Sequence, residues 1–170
     1  MTVTRAAVIG VGAMGTQHAR IYADTPDVRL VAVADTDGAA AERTAQRHGC
    51  RGYTDYRALL DDERPDVITV AVPTARHMPV ATYVMERGVH VLVEKPIATN
   101  LAEAYGLQEH MEAVSWPGRA AVDYKRRCAE PYVRIRQTAN EGSLGKLLRV
   151  EFNRPSKLSM VGSHFVDLAG

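Results

Sequence analysis

Four apolar runs alternate with four helical segments over the first 114 residues, and this alternation leaves few folds open. The runs are "RAAVIGVG" (5–12), "VRLVAVADTD" (28–37), "PDVITVAVPT" (65–74) and "VHVLVE" (89–94). Each is short, rich in valine and isoleucine, and continuous rather than alternating, as expected of strands buried on both faces. Between and after them, "AMGTQHARIYADT" (13–25), "GAAAERTAQRHGC" (38–50), "RHMPVATYVMERG" (76–88) and "NLAEAYGLQEHMEAV" (100–114) carry helical spacing. Pro26, Gly49 and Gly88 supply stop signals, and Asn100 with Glu103 suits a capping box. Strand and helix in strict alternation with short links predict βαβ units, hence an α/β fold with a doubly wound parallel sheet.

The first strand-to-helix turn narrows this further. In "VIGVGAMG", Gly10, Gly12 and Gly15 have the G-x-G-x-x-G spacing, with Ala13 and Met14 between the last two. The first glycine permits a tight turn, the second lets backbone approach a pyrophosphate, and the third allows the helix to pack on the strand. Asp35 ends the next strand 20 positions after Gly15 (35 − 15), where a carboxylate accepts hydrogen bonds from both ribose hydroxyls. A carboxylate there repels a 2′-phosphate, and Thr36 follows where NADP users often place an arginine. NAD is therefore expected over NADP, against which Arg43 and Arg47 on the following helix weigh. The sheet is thus predicted to be a Rossmann sheet.

The rhythm changes near "SWPGR" (115–119). A first domain is expected over 1–119, and the start of a second, α+β domain over 120–170. Its elements are read as a strand in "AAVDYKRR" (120–127), a helix in "EPYVRIRQTANEG" (130–142), a strand in "KLLRVEFNRP" (146–155) and a helix start in "MVGSHFVDLAG" (160–170). Two strands and a helix start leave that sheet incomplete, and a piece of a longer protein and a short form that recruits a partner both fit.

Beyond these spacings, "VAVPTARHMPVATYVMERGVHVLVEKPIATN", "GSLGKLLRVEF" and "GSHFVDL" resemble the Gfo/Idh/MocA oxidoreductases, a family named for glucose–fructose oxidoreductase and inositol dehydrogenase. The resemblance implies that Glu94, Lys95 and Pro96 face the nicotinamide, with Glu94 near its ribose, Lys95 between nicotinamide and substrate, and Pro96 often cis. Lysine suits that place because its charge polarises a hydroxyl or carbonyl. Pro73, Thr74 and His77 become cofactor contacts by the same resemblance, which reverses the plainer reading of His77 alone as a helix-start capping histidine. His164 falls on the family's catalytic histidine. The aspartate usual four residues earlier is Met160 here, and Asp167 matches a structural acid. Tyr124 and Arg127 resemble pocket residues, with a solvated basic run as the plainer reading.

The implied activity is hydride transfer between NAD and a secondary alcohol or ketone of a sugar, cyclitol or related polyol. The alternative is a dinucleotide-binding module, or a half-enzyme, without catalysis of its own. A homo-oligomer formed through the second domain is implied as well. With 21 basic against 20 acidic residues, no field points to nucleic acid. No apolar stretch reaches membrane length. "MTVTRAAVIG" carries no signal-peptide pattern, so a cytoplasmic location is expected. Cys50 and Cys128 lack metal-ligand spacing and read as free thiols, and no metal is expected.

Overall fold

The structure is a computed structural model that describes residues 2–113, 118–143, 145–146, 148–149 and 151. The chain divides into two compact units, Met1–Val122 and Asp123–Gly170.

The first unit is a six-stranded parallel sheet in the order β3-β2-β1-β4-β5-β6. Its strands are β1 (Thr4–Ile9), β2 (Val28–Ala34), β3 (Arg51–Tyr53), β4 (Val67–Val70), β5 (His90–Val93) and β6 (Ala120–Val122). The helices are α1 (Ala13–Asp24), α2 (Gly38–His48), α3 (Tyr56–Glu63), α4 (His77–Met85) and α5 (Leu101–Ala113). The continuous apolar runs are explained by burial on both faces. Along β1, Val8 joins Val11, Ala19, Leu30, Val33 and Ala45 beneath α1 and α2. Its neighbours Ala7 and Ile9 face the other way, toward Leu59, Val80, Val84, Met85 and Leu107 of α3, α4 and α5. Leu59 and Ile68 are wholly buried, and truncating either to alanine costs about 2–5 kcal/mol.

The stop and cap signals take effect as read. Gly49 closes α2 in the left-handed region with φ 65°; Asp37, which the sequence reading does not mark as a cap, starts that helix by accepting from the N–H groups of Ala39 and Ala40. At α5, Asn100 Oδ1 accepts from Glu103 N (3.0 Å), while Glu103 Oε2 accepts from Thr99 N (2.9 Å). Those contacts from Thr99 and Asn100 hold the Glu103 carboxyl below its usual range.

Two features differ from the sequence reading. Strand β3 and helix α3 carry no periodic signal. Two exposed residues and the half-buried Tyr53 make a strand only because β2 offers an open edge, and the edge is fastened by side chains. Tyr53 donates from its hydroxyl to Glu63 Oε1 (2.9 Å), which Arg51 Nη1 also approaches at 2.8 Å. Burial, then the Glu63 carboxylate, holds the Tyr53 phenol far above its usual range. The second difference is the boundary. Residues 120–122, read as the second domain's first strand, pair in parallel with Val91–Val93 and extend the first sheet to Val122. Small residues at 120 and 121 fit that pairing, and the added strand covers an otherwise open β5 edge.

The second unit, among described residues, holds a 3-10 turn (Lys125–Cys128) and helix α6 (Glu130–Asn140), with a proline in its first turn as expected. Most of 146–155 and all of 160–170 lie outside the described residues, and with them Met160, His164 and Asp167.

Candidate functional site

Strand order fixes where a site can form. The chain leaves β3 at one edge and re-enters at β4 beside β1, so the connections after β1 and β4 diverge to opposite faces. Open parallel sheets bind ligands in the crevice at the carboxyl ends of strands at such a switch point. A cleft of about 810 Å³ lies there, lined by residues following β1, β2, β3 and β4.

The glycine turn forms its floor. Gly10 has φ +88°, and a Cβ at that position would stand 2.6 Å from the carbonyl oxygen of Ala71. A Cβ on Gly15 would lie 1.7 Å from the carbonyl oxygen of Gly10, so α1 starts in direct contact with the turn. Gly12 is different: its Cβ would meet nothing within 4 Å and would project into open space. Gly12 is also the N-cap of α1 and offers no side-chain hydrogen bond, which leaves first-turn N–H groups and the positive end of the helix dipole facing outward. That combination fits a pyrophosphate.

Asp35 is positioned by the same turn. Its Oδ2 accepts from Val11 N (2.8 Å) and its Oδ1 from Asp37 N (2.9 Å). Each oxygen keeps acceptor capacity for a ribose hydroxyl. The cleft therefore has both elements a dinucleotide needs, an anion cradle and an oriented carboxylate. Gly10, Gly12, Ala13, Met14, Asp35 and Pro73 line it together. Gly15 stands behind them as packing.

Glu94, Lys95 and Pro96 stand together just after β5. Glu94 is buried, at 5% exposure, and its cost is met locally. His18 Nε2 donates to Glu94 Oε1 (3.0 Å), and Lys95 N donates to Glu94 Oε2 (3.1 Å). The Lys95–Pro96 peptide is cis. His77 is buried on α4 with both ring nitrogens 2.8 Å from backbone carbonyls, Nδ1 from Pro96 and Nε2 from Val72. It does not line the cleft. Its ring ties the turn after β5 to the chain leaving β4, so any effect on cofactor binding passes through those backbones. Thr74 opens the 3-10 turn Thr74–Arg76 and is half-buried. Tyr124 and Arg127 lie in the second unit, where Arg127 N donates to the Tyr124 carbonyl (2.8 Å).

Several residues escaped the sequence reading. Thr54, Tyr56, Val72, Arg76 and Val80 also line the cleft. Arg76 sits inside the quoted loop "PTARH" and could have been found there; Tyr56 had no signal. His18 follows the third glycine by one turn of α1, a place that faces the sheet. Tyr22, one turn further, meets Thr69 of β4 through its hydroxyl at 2.7 Å. Among described residues no helix is long and apolar enough to cross a membrane.

Comparison with known proteins agrees with this geometry. Residues 4–115 match the family model GFO_IDH_MocA, "Oxidoreductase family, NAD-binding Rossmann fold". Inositol 2-dehydrogenase 4 of Saccharopolyspora erythraea is 32% identical over 146 residues, covering 85% of this chain and 43% of that protein. D-glucoside 3-dehydrogenase of Escherichia coli is 31% identical over 146 residues, covering 84% and 41%. The crystal structure of GenD2 from gentamicin A biosynthesis, in complex with NAD, superposes with a TM-score of 0.86 at 27% identity, covering 99% of this chain and 53% of that one. The chain thus spans about 43% of the length of the inositol dehydrogenase it matches. With the glycine turn, the Asp35 carboxylate and the Glu94–Lys95 turn set on one parallel sheet, the chain belongs to the Gfo/Idh/MocA oxidoreductase family, whose Rossmann fold binds NAD.

Proposed function

We propose that this chain is the cofactor-binding part of an NAD-dependent dehydrogenase that acts on a secondary alcohol of a cyclitol, sugar or related polyol. The observation that carries the reading is one sheet edge holding both the dinucleotide cleft and, at the end of β5, the Glu94–Lys95 turn. The printed activities of the relatives, on inositol and on a D-glucoside, support a ring hydroxyl as the group oxidised. When bound, the nicotinamide supplies the two-electron hydride chemistry.

The protein's own residues supply position and proton exchange. Backbone N–H groups at the start of α1 orient the pyrophosphate, and Asp35 selects the unphosphorylated ribose. Glu94, fixed by His18, holds the backbone of Lys95 through its N–H. Lys95 takes the hydroxyl proton of the substrate at Nζ as its carbon is oxidised, and returns it on reduction. By resemblance alone, His164 assists that transfer, with Met160 in place of the usual orienting acid, and Tyr124 and Arg127 are assigned to the substrate. A copy-to-copy interface through the second domain belongs to the same reading, as does a cytoplasmic place of work.

The test is titration of the chain with NADH and NADPH, followed by reduced-nicotinamide fluorescence, and then turnover on a cyclitol and glucoside panel. Tight NADH and weak NADPH binding is expected. Lys95→Ala should abolish turnover and leave NADH binding nearly intact. Failure of the wild-type chain to bind NADH would overturn the cofactor reading, and unchanged turnover in Lys95→Ala would overturn the catalytic one.

A further inference from the structure

The cleft has one anion and one cation among its lining residues, Asp35 and Arg76. Asp35 is committed to the turn and to a ribose. Arg76 has no assigned task. It ends the 3-10 turn after β4, and its backbone is pinned by Arg76 N donating to the Pro73 carbonyl (2.7 Å). Its guanidinium makes no hydrogen bond or ion pair to a described residue, although it borders the cleft.

The placement of the other ligand groups limits what Arg76 can meet. The start of α1 takes the pyrophosphate, and Asp35 takes the adjoining ribose. What remains is the stretch of cleft lined by Thr36, Thr54 and Tyr56, which follow β2 and β3, and by Val72, Pro73, Arg76 and Val80, which follow β4. Apart from Arg76 and two threonines, that stretch is lined by apolar and aromatic side chains, and among the described residues it holds no carboxylate. The Tyr56 ring is already engaged edge-on by Tyr83, with centroids 5.4 Å apart, and by the guanidinium of Arg57 at 5.1 Å. It forms a rigid wall rather than a mobile lid. A planar, weakly hydrated guanidinium stacks on an aromatic face, whereas an ammonium does so less well.

Resting on the NAD reading of this cleft, we propose that Arg76 determines affinity for the adenine base by laying its guanidinium on the purine face. Its role is recognition of the base, separate from the phosphate contacts of the glycine turn.

The experiment measures binding of NADH, ADP-ribose, adenosine and nicotinamide mononucleotide to the full chain and to its R76A and R76K variants. The thermal unfolding midpoint confirms that each variant folds. Expected for R76A is a loss of about three- to thirty-fold in affinity for adenosine, the size of a cation–π contact from exposed to desolvated. NADH and ADP-ribose should lose the same factor, and nicotinamide mononucleotide none. R76K should recover little. Unchanged adenosine affinity with weakened ADP-ribose, rescued by R76K, would make Arg76 a phosphate contact and overturn the proposal. If R76A bound every ligand as wild type does, Arg76 would be a bystander. A wild-type chain that bound none of them would instead bring down the cofactor reading on which the proposal rests.

Discussion

The three glycines of the turn share a motif but not a task, and alanine at each should separate them. Gly15→Ala places a methyl 1.7 Å from the backbone oxygen of Gly10, where ordinary contact begins at 3.4 Å. Neither partner is a flexible side-chain end, so α1 must move off β1. Helix propensity returns about 1 kcal/mol, and overpacking of lesser severity already costs about 1–3 kcal/mol. Set against that return, the upper end of the overpacking cost leaves a net loss of about 2 kcal/mol as the lower expectation for so severe a clash, or about 4–8 °C in unfolding midpoint for a chain of this size. Gly12→Ala meets nothing within 4 Å, and Gly12 already has φ −67°, which any residue adopts. Alanine is a poorer N-cap than glycine, so stability falls by only about 0.5–1 kcal/mol. The new methyl nevertheless stands in the space through which an anion reaches the first-turn N–H groups. Losing one hydrogen bond to a charged group costs about 1.5–3 kcal/mol, a ten- to hundred-fold weaker Kd for NADH. Thermal unfolding and NADH fluorescence titration on both variants decide the matter. A Gly12→Ala chain that binds NADH like wild type, or a Gly15→Ala chain that melts like wild type, refutes the division of labour.

Two further outcomes follow from buried groups. His77→Phe keeps the ring volume but removes the ring N–H that donates to the Val72 or the Pro96 carbonyl, which should cost about 1–3 kcal/mol for the carbonyl left bare. Urea unfolding should show that loss, with His77→Gln recovering part of it; a Phe variant as stable as wild type would show that the strut carries no weight. Burial pushes the Cys50 thiol from 9.0 up to about 11, so the folded state binds its proton more tightly than the unfolded one. Its contribution is fully present below pH 9 and is lost as pH rises toward 11. Denaturation midpoints should fall over that window in the native chain and fall less in Cys50→Ala, while iodoacetamide at pH 8 labels exposed Cys128 ahead of Cys50; equal labelling of the two would contradict the burial argument.

What the sequence disclosed of this fold follows from how locally each feature is caused. Strands β1, β2, β4 and β5 were legible because burial on both faces forces continuous apolar runs. The stop at Gly49 and the cap at Asn100 were legible because their partners lie within a few residues. Strand β3 was not: "RGY" has no pattern of its own, and its pairing depends on an open β2 edge. Residues 120–122 could be read as a strand, but nothing within them says which sheet they join. The same division runs through the site. The glycine turn and Asp35 show in the sequence because phosphate and ribose chemistry dictates residue type at fixed spacing.

The Glu94–Lys95 turn shows the opposite case. A carboxylate buried to 5% exposure at a strand end is costly unless both oxygens find donors. One donor is the N–H of the next residue, a local device. The other is His18, 76 positions earlier in the chain, which no spacing rule connects to it. His77 is alike in kind, since its partners follow it by 19 positions at Pro96 and precede it by 5 at Val72. Both histidines lie on helices whose register against the sheet is fixed by packing, α1 by Gly15 and α4 by Val80, Val84 and Met85. The tight glycine turn therefore reaches further than the cofactor. By seating α1 against β1 it also brings His18 to Glu94, and so helps to fix the backbone of Lys95 at the opposite side of the switch point.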